Sequence, residues 1–234
     1  MAKTRSIKAR QSKTLAREGG GAIRPPAPGA RRKQGGSREA RSAARREAIL
    51  TAALEEFSER GFAATRLEDV AKRAGIAKGT IYLYFRDKES LFQELIRSTL
   101  TPLVGTIEAL GKVDIPVTML ADRIVQLFVH EIFATRRKDV VRLMISEGRR
   151  FPKLAEFYYR EVLSHIMAAV QALMTRAAAR GEVPEALARF PQLIAAPGVV
   201  AIIWNGLFDR FAPLDVEALM RAHVDLLFAP RRAP

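Results

Sequence analysis

Apolar residues recur along most of this chain at intervals of three and four positions, which is the spacing of amphipathic helices. Few stretches alternate between apolar and polar residues in the way that half-buried strands do. The pattern therefore predicts an all-α fold in which each helix turns one face toward a core. The predicted helices span residues 42–60, 65–74, 78–85, 86–110, 116–137, 139–147, 152–180, 193–211 and 214–228.

Residues 65–88 predict two short helices joined by a tight turn. Thr65 and Glu68 have the spacing of a capping box, in which two side chains bond free backbone N–H groups of the first turn. Gly75 suits the left-handed position that ends a helix, because glycine has no Cβ to clash there. The stretch thus has a start signal, a stop signal and a second helix directly after the stop.

The second helix of this stretch has an outer face with an unusual set of side chains. Ile81 and Phe85 lie four residues apart and predict its buried face. Such a helix can enter the major groove when its outer residues bond phosphates and contact thymine methyl groups. An ordinary surface helix with half-buried tyrosines is the alternative. The residues predicted to face outward are Lys78, Gly79, Thr80, Tyr82 and Tyr84.

The order of these residues resembles the DNA-binding signature of the tetracycline-repressor (TetR) family over about residues 43–97. One departure is Ala77, since the family often has a serine or threonine there that caps the second helix. The resemblance rests on Ala71-x-x-Ala74-Gly75-Ile76-x-x-Gly79-Thr80-Ile81-Tyr82-x-Tyr84-Phe85-x-x-Lys88-Glu89-x-Leu91. It implies DNA contacts from Thr65, Arg66, Lys78, Gly79, Thr80, Tyr82, Tyr84 and Lys88.

The resemblance also implies a domain organisation and a function. The implied function is a repressor that a small-molecule effector releases from a palindromic operator and that acts as a cytoplasmic homodimer. Its implied parts are a disordered basic arm (1–40), a helix-turn-helix domain (41–97, with a connecting helix to about 110) and a helical effector-binding and dimerisation domain (111–230).

Charge changes this picture only at the N terminus. The formal net charge is +14, yet residues 41–110 carry eleven basic and ten acidic side chains. Residues 1–40 carry eleven basic side chains, two acidic ones and few apolar ones, so we predict a disordered polycation there. Two functions stay open for it: contact with DNA phosphates or the minor groove, and a passive tail. A transit peptide fits less well.

The chain offers few residues for catalysis or metal binding. It contains no cysteine, and His130, His165 and His223 are far apart and form no metal-binding motif. The sequence also lacks the common nucleotide-binding and hydrolase motifs. We therefore predict no enzyme activity, no cofactor and no metal.

The C-terminal half contains candidate walls for an effector pocket, whose place between the helices is implied by the family resemblance. A mostly apolar helix face with a few polar groups is typical of such pockets, and His165 shares a helical face with Tyr158. Residues 147–152, with Phe157 and Tyr158, resemble family members linked to multidrug efflux or stress genes. Plain core packing is the alternative for each lining residue. The predicted lining residues are Phe128, Met144, Tyr158, His165, Met167 and Trp204.

Residues 193–211 are apolar and rich in small side chains. The run is shorter than the ~20 residues of a membrane span, and Pro197, Asn205 and Asp209 interrupt it. We therefore predict a buried helix and no membrane partner. In the TetR family, two terminal helices of each subunit form a four-helix dimer interface, and residues 193–211 and 214–228 match that role. The implied partner is two-fold symmetric double-stranded DNA.

Two competing functions remain open from the sequence. The net charge fits a non-specific architectural DNA-binding protein, although the basic excess lies in the arm and not in the helix-turn-helix domain. A helical ligand-binding protein or enzyme without a role at DNA leaves the outward Tyr82 and Tyr84 unexplained. Preference for one DNA sequence separates the first from a regulator, and DNA affinity of any kind separates the second.

Overall fold

Helices occupy the segments in which apolar side chains recur at helical spacing. The structure is a computed structural model that describes residues 30–228 and the side chains of residues 38–228. No strand occurs among these residues, and the predicted all-α fold is confirmed. The helices are α1 Ala30–Ala64, α2 Leu67–Arg73, α3 Lys78–Ile81, α4 Lys88–Gly111, α5 Val117–Gln126, α6 Arg137–Glu147, α7 Pro152–Tyr158, α8 Ser164–Ala179, α9 Glu185–Arg189, α10 Gln192–Phe208 and α11 Val216–Phe228.

Helix α1 begins at Ala30, whereas the sequence pattern predicts its start at residue 42. Pro28 is the last proline before it, so each residue from Ala30 onward has a backbone N–H for the helix. Gly61 interrupts the helical geometry with φ 75° and ψ 165°, at the predicted end of the first helix. Part of the predicted arm thus belongs to α1, and residues 1–29 lie outside the described residues.

The capping box predicted at the start of α2 is wrong. Arg66 is the N-cap residue, and no side chain caps this helix. Thr65 is buried, and its hydroxyl donates to the backbone oxygens of Glu56 at 3.1 Å and Gly61 at 2.8 Å. The last carbonyl groups of a helix have no partner within it. Thr65 therefore serves the end of α1 and not the start of α2.

The turn between α2 and α3 has the predicted left-handed glycine. Gly75 has φ 66°. Its N–H bonds the oxygen of Lys72 at 3.2 Å, and the N–H of Ile76 bonds the oxygen of Ala71 at 3.0 Å. These are the two hydrogen bonds of a Schellman motif, which ends α2 sharply and sets the direction of the next helix.

Helix α3 is shorter than the predicted 78–85. Its helical residues are Lys78–Ile81, and turns continue the chain to residue 84. Ile81 and Phe85 are both buried, as predicted, so the two anchors hold this short element against the core. The residues between the anchors remain at the surface.

Helix α4 connects the N-terminal helices to the rest of the chain. A capping box starts it, in which Asp87 Oδ1 accepts from Ser90 N at 2.7 Å and Ser90 Oγ accepts from Asp87 N at 3.2 Å. Pro102 lies inside α4 and does not divide the helix.

One continuous core joins the N-terminal helices to α6 and α7. Its members come from both halves of the chain, so the helix-turn-helix does not pack as a separate body. The N-terminal helices therefore share packing with the helices that follow α4. Fully buried or nearly fully buried members include Ile49, Phe57, Ile81, Phe92, Ile96, Val140, Leu143, Leu154, Phe157 and Val162.

Two helices contain π-helical segments. Helix α5 continues into Leu127–Phe133, and Tyr159–Leu163 joins α7 to α8. A π turn holds more residues than an α turn, so side chains beyond it change their direction. The continuous stretch Pro152–Ala179 is long and apolar enough to cross a membrane by length and composition alone. However, Leu173 and Met174 from this stretch lie in a second core.

Two smaller cores complete the described part. The second forms between α5, α8 and α9, and α9 is a helix that the sequence pattern did not predict. The third forms where α5 meets α10 and α11, around Ala201, Met220 and Val224. These cores leave one face of α10 uncovered in the single chain.

Candidate nucleic-acid interface and apolar cavity

The short α3 and the turn after it present an exposed surface. Lys78 and Gly79 are exposed, Thr80 is half-buried, and Tyr82 retains 46% of its accessible surface. A Cβ added at Gly79 would have no atom within 4 Å, so the surface is open at this point. Three of the five residues predicted to face outward on this helix are therefore exposed, and Thr80 is partly so.

Leu83 is the residue of this surface that sequence reasoning missed. Leu83 is 83% exposed, although it lies between the buried residues Ile81 and Phe85. The signal was available, because helical spacing from Ile81 and Phe85 leaves position 83 on the outer side. An apolar side chain at such a position is suited to contact a thymine methyl group.

A single carboxylate connects two side chains of this surface. One oxygen of Glu68, in the first turn of α2, lies 3.1 Å from Lys78 Nζ and accepts from the Tyr82 hydroxyl at 2.9 Å. Hydrogen bonds from its own backbone N–H, from Lys78 and from Tyr82 lower the pKa of Glu68 to about 2. The same bond raises the pKa of the Tyr82 hydroxyl. Glu68 therefore stays ionised at neutral pH beside the exposed residues.

Lys88 begins α4, but its ammonium bonds to protein oxygens at the end of α1 and not to an open position for DNA. Its ammonium donates to the backbone oxygens of Phe62 at 2.5 Å and Ala63 at 2.9 Å, and it lies 4.6 Å from the centre of the Phe62 ring. Burial lowers the pKa of Lys88, against the opposing effect of Glu147 and Glu89. The Lys88 ammonium thus caps the end of α1, because its hydrogen bonds go to backbone oxygens of that helix.

The other residues predicted to contact DNA differ in how exposed their side chains are. Arg66 is exposed, and its guanidinium makes no hydrogen bond or ion pair among the described residues, so this cation is available. The Thr65 hydroxyl is buried, and the half-buried Tyr84 packs against the first core. The Tyr84 hydroxyl lies 3.5 Å from Ser42 Oγ. Arg66 belongs to the exposed surface, whereas the side chains of Thr65 and Tyr84 support it from behind.

A second feature is a cavity of about 160 Å³ between α4, the π segment after α5, α8 and α10. Aliphatic side chains form nearly all of its wall. Of the predicted pocket residues, Phe128, Tyr158 and Met167 line it. Other lining residues include Leu103, Ile107, Ile124, Ile132, Val162, Leu163, Ile166, Val170, Ile194 and Ile202.

Tyr158 brings a polar group to this apolar wall. Burial raises the pKa of its hydroxyl to about 12. That hydroxyl makes no hydrogen bond within residues 38–228, although buried tyrosines usually find a partner. The one hydroxyl among the residues that line the cavity is therefore without a partner in the described part of the chain.

The other three predicted pocket residues lie outside the cavity wall. Met144 belongs to the first core. His165 lies at the surface, where its Nδ1 is 3.0 Å from Glu108 Oε1. Trp204 is 40% exposed and donates from Nε1 to the oxygen of Ala212 at 2.7 Å. Met144 therefore packs in the core, whereas His165 and Trp204 make hydrogen bonds at the surface. We do not include these three residues in the cavity.

A third feature is the uncovered face of α10. Large apolar side chains on this helix are 40% to 64% exposed, and two more exposed ones follow it in the chain. Contiguous exposed apolar residues mark a surface that another molecule covers. The residues are Val199, Val200, Ile203, Trp204, Leu207 and Phe208 of α10, with Phe211 and Leu226 beyond it.

Comparison with known protein families gives two matches along the chain. Residues 49–95, from α1 to α4, match the family described as bacterial regulatory proteins, tetR family. Residues 118–199, from α5 to α10, match the C-terminal domain described as that of AefR-like transcriptional repressors. The first match covers the exposed surface around α3, and the second covers most of the cavity.

Two relatives each match a longer stretch of the chain than either family match alone. The transcriptional repressor BepR of Brucella suis is 33% identical over 152 residues, which are 62% of this chain and 71% of BepR. The regulator RutR of Escherichia coli is 29% identical over 129 residues. Those residues are 55% of this chain and 53% of RutR, so the match spans about half the length of that relative.

Solved structures share the fold at lower identity. FadR of Bacillus halodurans superposes with a TM-score of 0.64 at 22% identity and covers 81% of this chain and 97% of its own. FadR of Bacillus subtilis, solved in complex with stearoyl-CoA, gives 0.60 at 23% identity and covers 78% of this chain and 97% of its own. At these identities the likeness concerns the fold.

Proposed function

We propose that this chain, which belongs to the TetR family of bacterial regulatory proteins, is a repressor that binds a two-fold symmetric operator as a homodimer and releases it when an apolar effector enters the cavity. The relatives are named as transcriptional regulators, which supports a regulator over an enzyme. We place its action in the cytoplasm, where bacterial operators are found.

The observation that carries the proposal is the exposed surface around α3. It combines the cation of Lys78, the ring of Tyr82 and the leucine side chain of Leu83 on an element held by two buried anchors. An exposed leucine beside a tyrosine and a lysine is unfavourable in water, and it is suited to the methyl groups and acceptors of the major groove. Arg66, at the start of α2, adds a free cation for a phosphate.

Dimerisation is proposed through the uncovered face of α10. Two copies of this face, related by a two-fold axis, would cover each other's Ile203 and Leu207, because the same patch on both subunits is self-complementary in such an interface. The exposed Phe211 and Leu226 extend the surface beyond α10. The paired helices α10 and α11 of each subunit would then form the four-helix interface that the family resemblance implies.

The effector is proposed to be mostly hydrocarbon, with one group that hydrogen-bonds to Tyr158. A charged group in this aliphatic cavity would lose its hydration without a counter-charge, so we expect a ligand that buries no charge there. FadR of Bacillus subtilis was solved with stearoyl-CoA, and an acyl chain has this chemistry. The described cavity of about 160 Å³ is smaller than the roughly 300–1,000 Å³ of drug-sized sites, so a larger ligand must move the walls apart.

Movement of the cavity walls is proposed to reach the DNA surface through α4. This helix begins at Lys88, whose ammonium caps α1, and its residues Leu103 and Ile107 line the cavity. The π segments on two other walls mark places where a helix deviates from regular geometry, and such segments often occur at functional sites. A ligand that displaces α4 would change the distance between the two α3 helices of a dimer.

Substitutions on the exposed surface test whether its residues recognise the DNA sequence. Tyr82→Ala and Leu83→Ala are each expected to weaken operator binding by roughly fivefold to a hundredfold, because each substitution would remove a contact with a base. Both side chains are exposed, so the melting temperature should change little. Binding to scrambled DNA should change less than operator binding, and titrations with both duplexes measure this.

Tyr159→Ala is the matched control, since this tyrosine is 60% exposed and lies far along the chain, between α7 and α8. It should leave both affinities unchanged. Equal losses on operator and scrambled DNA for Tyr82→Ala and Leu83→Ala, or a change in melting temperature alone, would show that these residues do not read sequence.

A further inference from the structure

We infer that Glu68 determines the DNA specificity of this protein by holding Lys78 and Tyr82 in the arrangement that recognises the operator. The inference rests on the proposed DNA-binding function and assigns to Glu68 a positioning role within it. Glu68 lies on α2, whereas both residues that it contacts lie on α3 or directly after it.

The geometry shows one acceptor shared by two donors. Lys78 Nζ at 3.1 Å and the Tyr82 hydroxyl at 2.9 Å meet the same oxygen of Glu68. A lysine side chain has large rotational freedom, which a fixed contact removes before DNA binds. Because α3 has only one helical turn, this bridge to α2 also fixes the direction of the turn that carries Tyr82.

The bridge determines which groups remain for the bases. A lysine ammonium has three donors, so Lys78 can bond Glu68 and still donate to a guanine or a phosphate. The Tyr82 hydroxyl has a single hydrogen, and Glu68 accepts it. Tyr82 then presents its oxygen only as an acceptor, which suits the amino group of cytosine or adenine and disfavours the oxygen acceptors of guanine and thymine.

The charge of Glu68 also increases the preference for the operator over other DNA. The carboxylate is ionised and partly exposed on the surface that would face DNA, so it repels phosphates and attracts Lys78 away from them. Binding to any duplex is weakened by this charge. Binding to the operator is less affected, because there Lys78 and Tyr82 bond to bases in the positions that Glu68 imposes. A difference of two affinities of this kind is what specificity means.

Asp69 provides a matched control. It lies next to Glu68 in the first turn of α2, and its carboxylate lies 3.7 Å from Arg60 and away from the residues of α3. Both carboxylates interact favourably with the N-terminus of α2. Removal of either one therefore changes the charge and the helix stability similarly, whereas removal of Glu68 alone releases Lys78 and Tyr82.

The experiment uses the full-length protein and duplexes that the wild-type protein selects from a random pool. We expect Glu68→Ala to lower the ratio of selected to scrambled affinity roughly tenfold, since the charge-assisted hydrogen bonds to Lys78 and Tyr82 are both lost. Binding to scrambled DNA should become tighter. Glu68→Gln retains an oxygen for Tyr82 but not the charge, and it should keep part of the preference. Asp69→Ala should keep the full preference.

A double-mutant cycle separates positioning from a structural effect. In a Lys78→Met/Tyr82→Phe background, Glu68→Ala should change the preference less than about twofold, because nothing is left for Glu68 to position. The same large loss in that background would overturn the inference, and so would an unchanged preference in Glu68→Ala alone. If the wild-type protein enriches no sequence, the proposed function itself fails, which is a distinct result.

Discussion

Replacement of Ile203 by glutamate is expected to convert the protein to monomers and to lower its operator affinity by more than about a hundredfold. Ile203 is 40% exposed in the single chain and lies on the uncovered face of α10. In a two-fold interface each introduced carboxylate would be buried close to its symmetry copy without a positive partner, which is strongly unfavourable. A monomer binds one half-site and loses the roughly 10²–10⁴-fold gain that two linked sites provide.

Sedimentation analysis and operator titration measure these two effects. Val113→Glu is the control, because Val113 is 47% exposed in the loop between α4 and α5, outside α10 and α11. It should remain dimeric with unchanged affinity. A dimeric Ile203→Glu protein with wild-type operator affinity would show that α10 does not form the interface.

Gly198→Ala is expected to destabilise the fold by about 1–3 kcal/mol, the usual effect of overpacking, and to abolish release of DNA by an effector. A Cβ added at Gly198 would lie 2.0 Å from Phe128 Cε2, so the ring has to move. Phe128 lines the cavity. Displacement of its ring therefore changes the cavity wall, and a volume of about 160 Å³ leaves little room for it.

Chemical denaturation measures the first effect, and operator release by medium-chain alcohols measures the second. Gly105→Ala is the control, because an added Cβ there has no atom within 4 Å, and alanine in a helix is favoured by about 0.5–1 kcal/mol over glycine. Phe128→Leu in the Gly198→Ala protein should restore part of the lost stability. Equal stability of the Gly198→Ala and Gly105→Ala proteins would contradict the assigned contact.

The sequence predicted local features of the helix-turn-helix better than its long-range contacts. Gly75 and the buried pair Ile81 and Phe85 follow from spacing along the chain, and the structure confirms them. Thr65 and Lys88 both bond the end of α1 instead of the groups expected from their neighbours in sequence. Nothing in the local pattern reveals where the end of α1 lies in space, so these two contacts could not be predicted.

The π segment between α7 and α8 explains one error in the predicted pocket. Regular α-helical spacing from Tyr158 puts His165 on the same face, and this spacing was the basis of its prediction. The π-helical segment Tyr159–Leu163 adds a residue to the turn, which moves the cavity face to Val162, Ile166 and their neighbours. His165 is thereby turned to the surface and to Glu108.

The exposure of Leu83 could have been predicted from the sequence, but it was not. Its outward position follows from the two buried anchors, yet an apolar residue between two tyrosines is easily assigned to the core. The structure leaves it 83% exposed. This exposure is the reason why Leu83 is proposed to contact a base.

Selection of duplexes from a random pool, followed by footprinting of the enriched sequence, tests whether this protein binds one DNA sequence as a dimer. We expect a two-fold symmetric sequence whose half-sites lie about one helical turn, ~34–36 Å, or a multiple of it apart, because a dimer presents two α3 helices related by symmetry. A single unsymmetric half-site, or a pool with no enriched sequence, would contradict a dimeric, sequence-specific regulator.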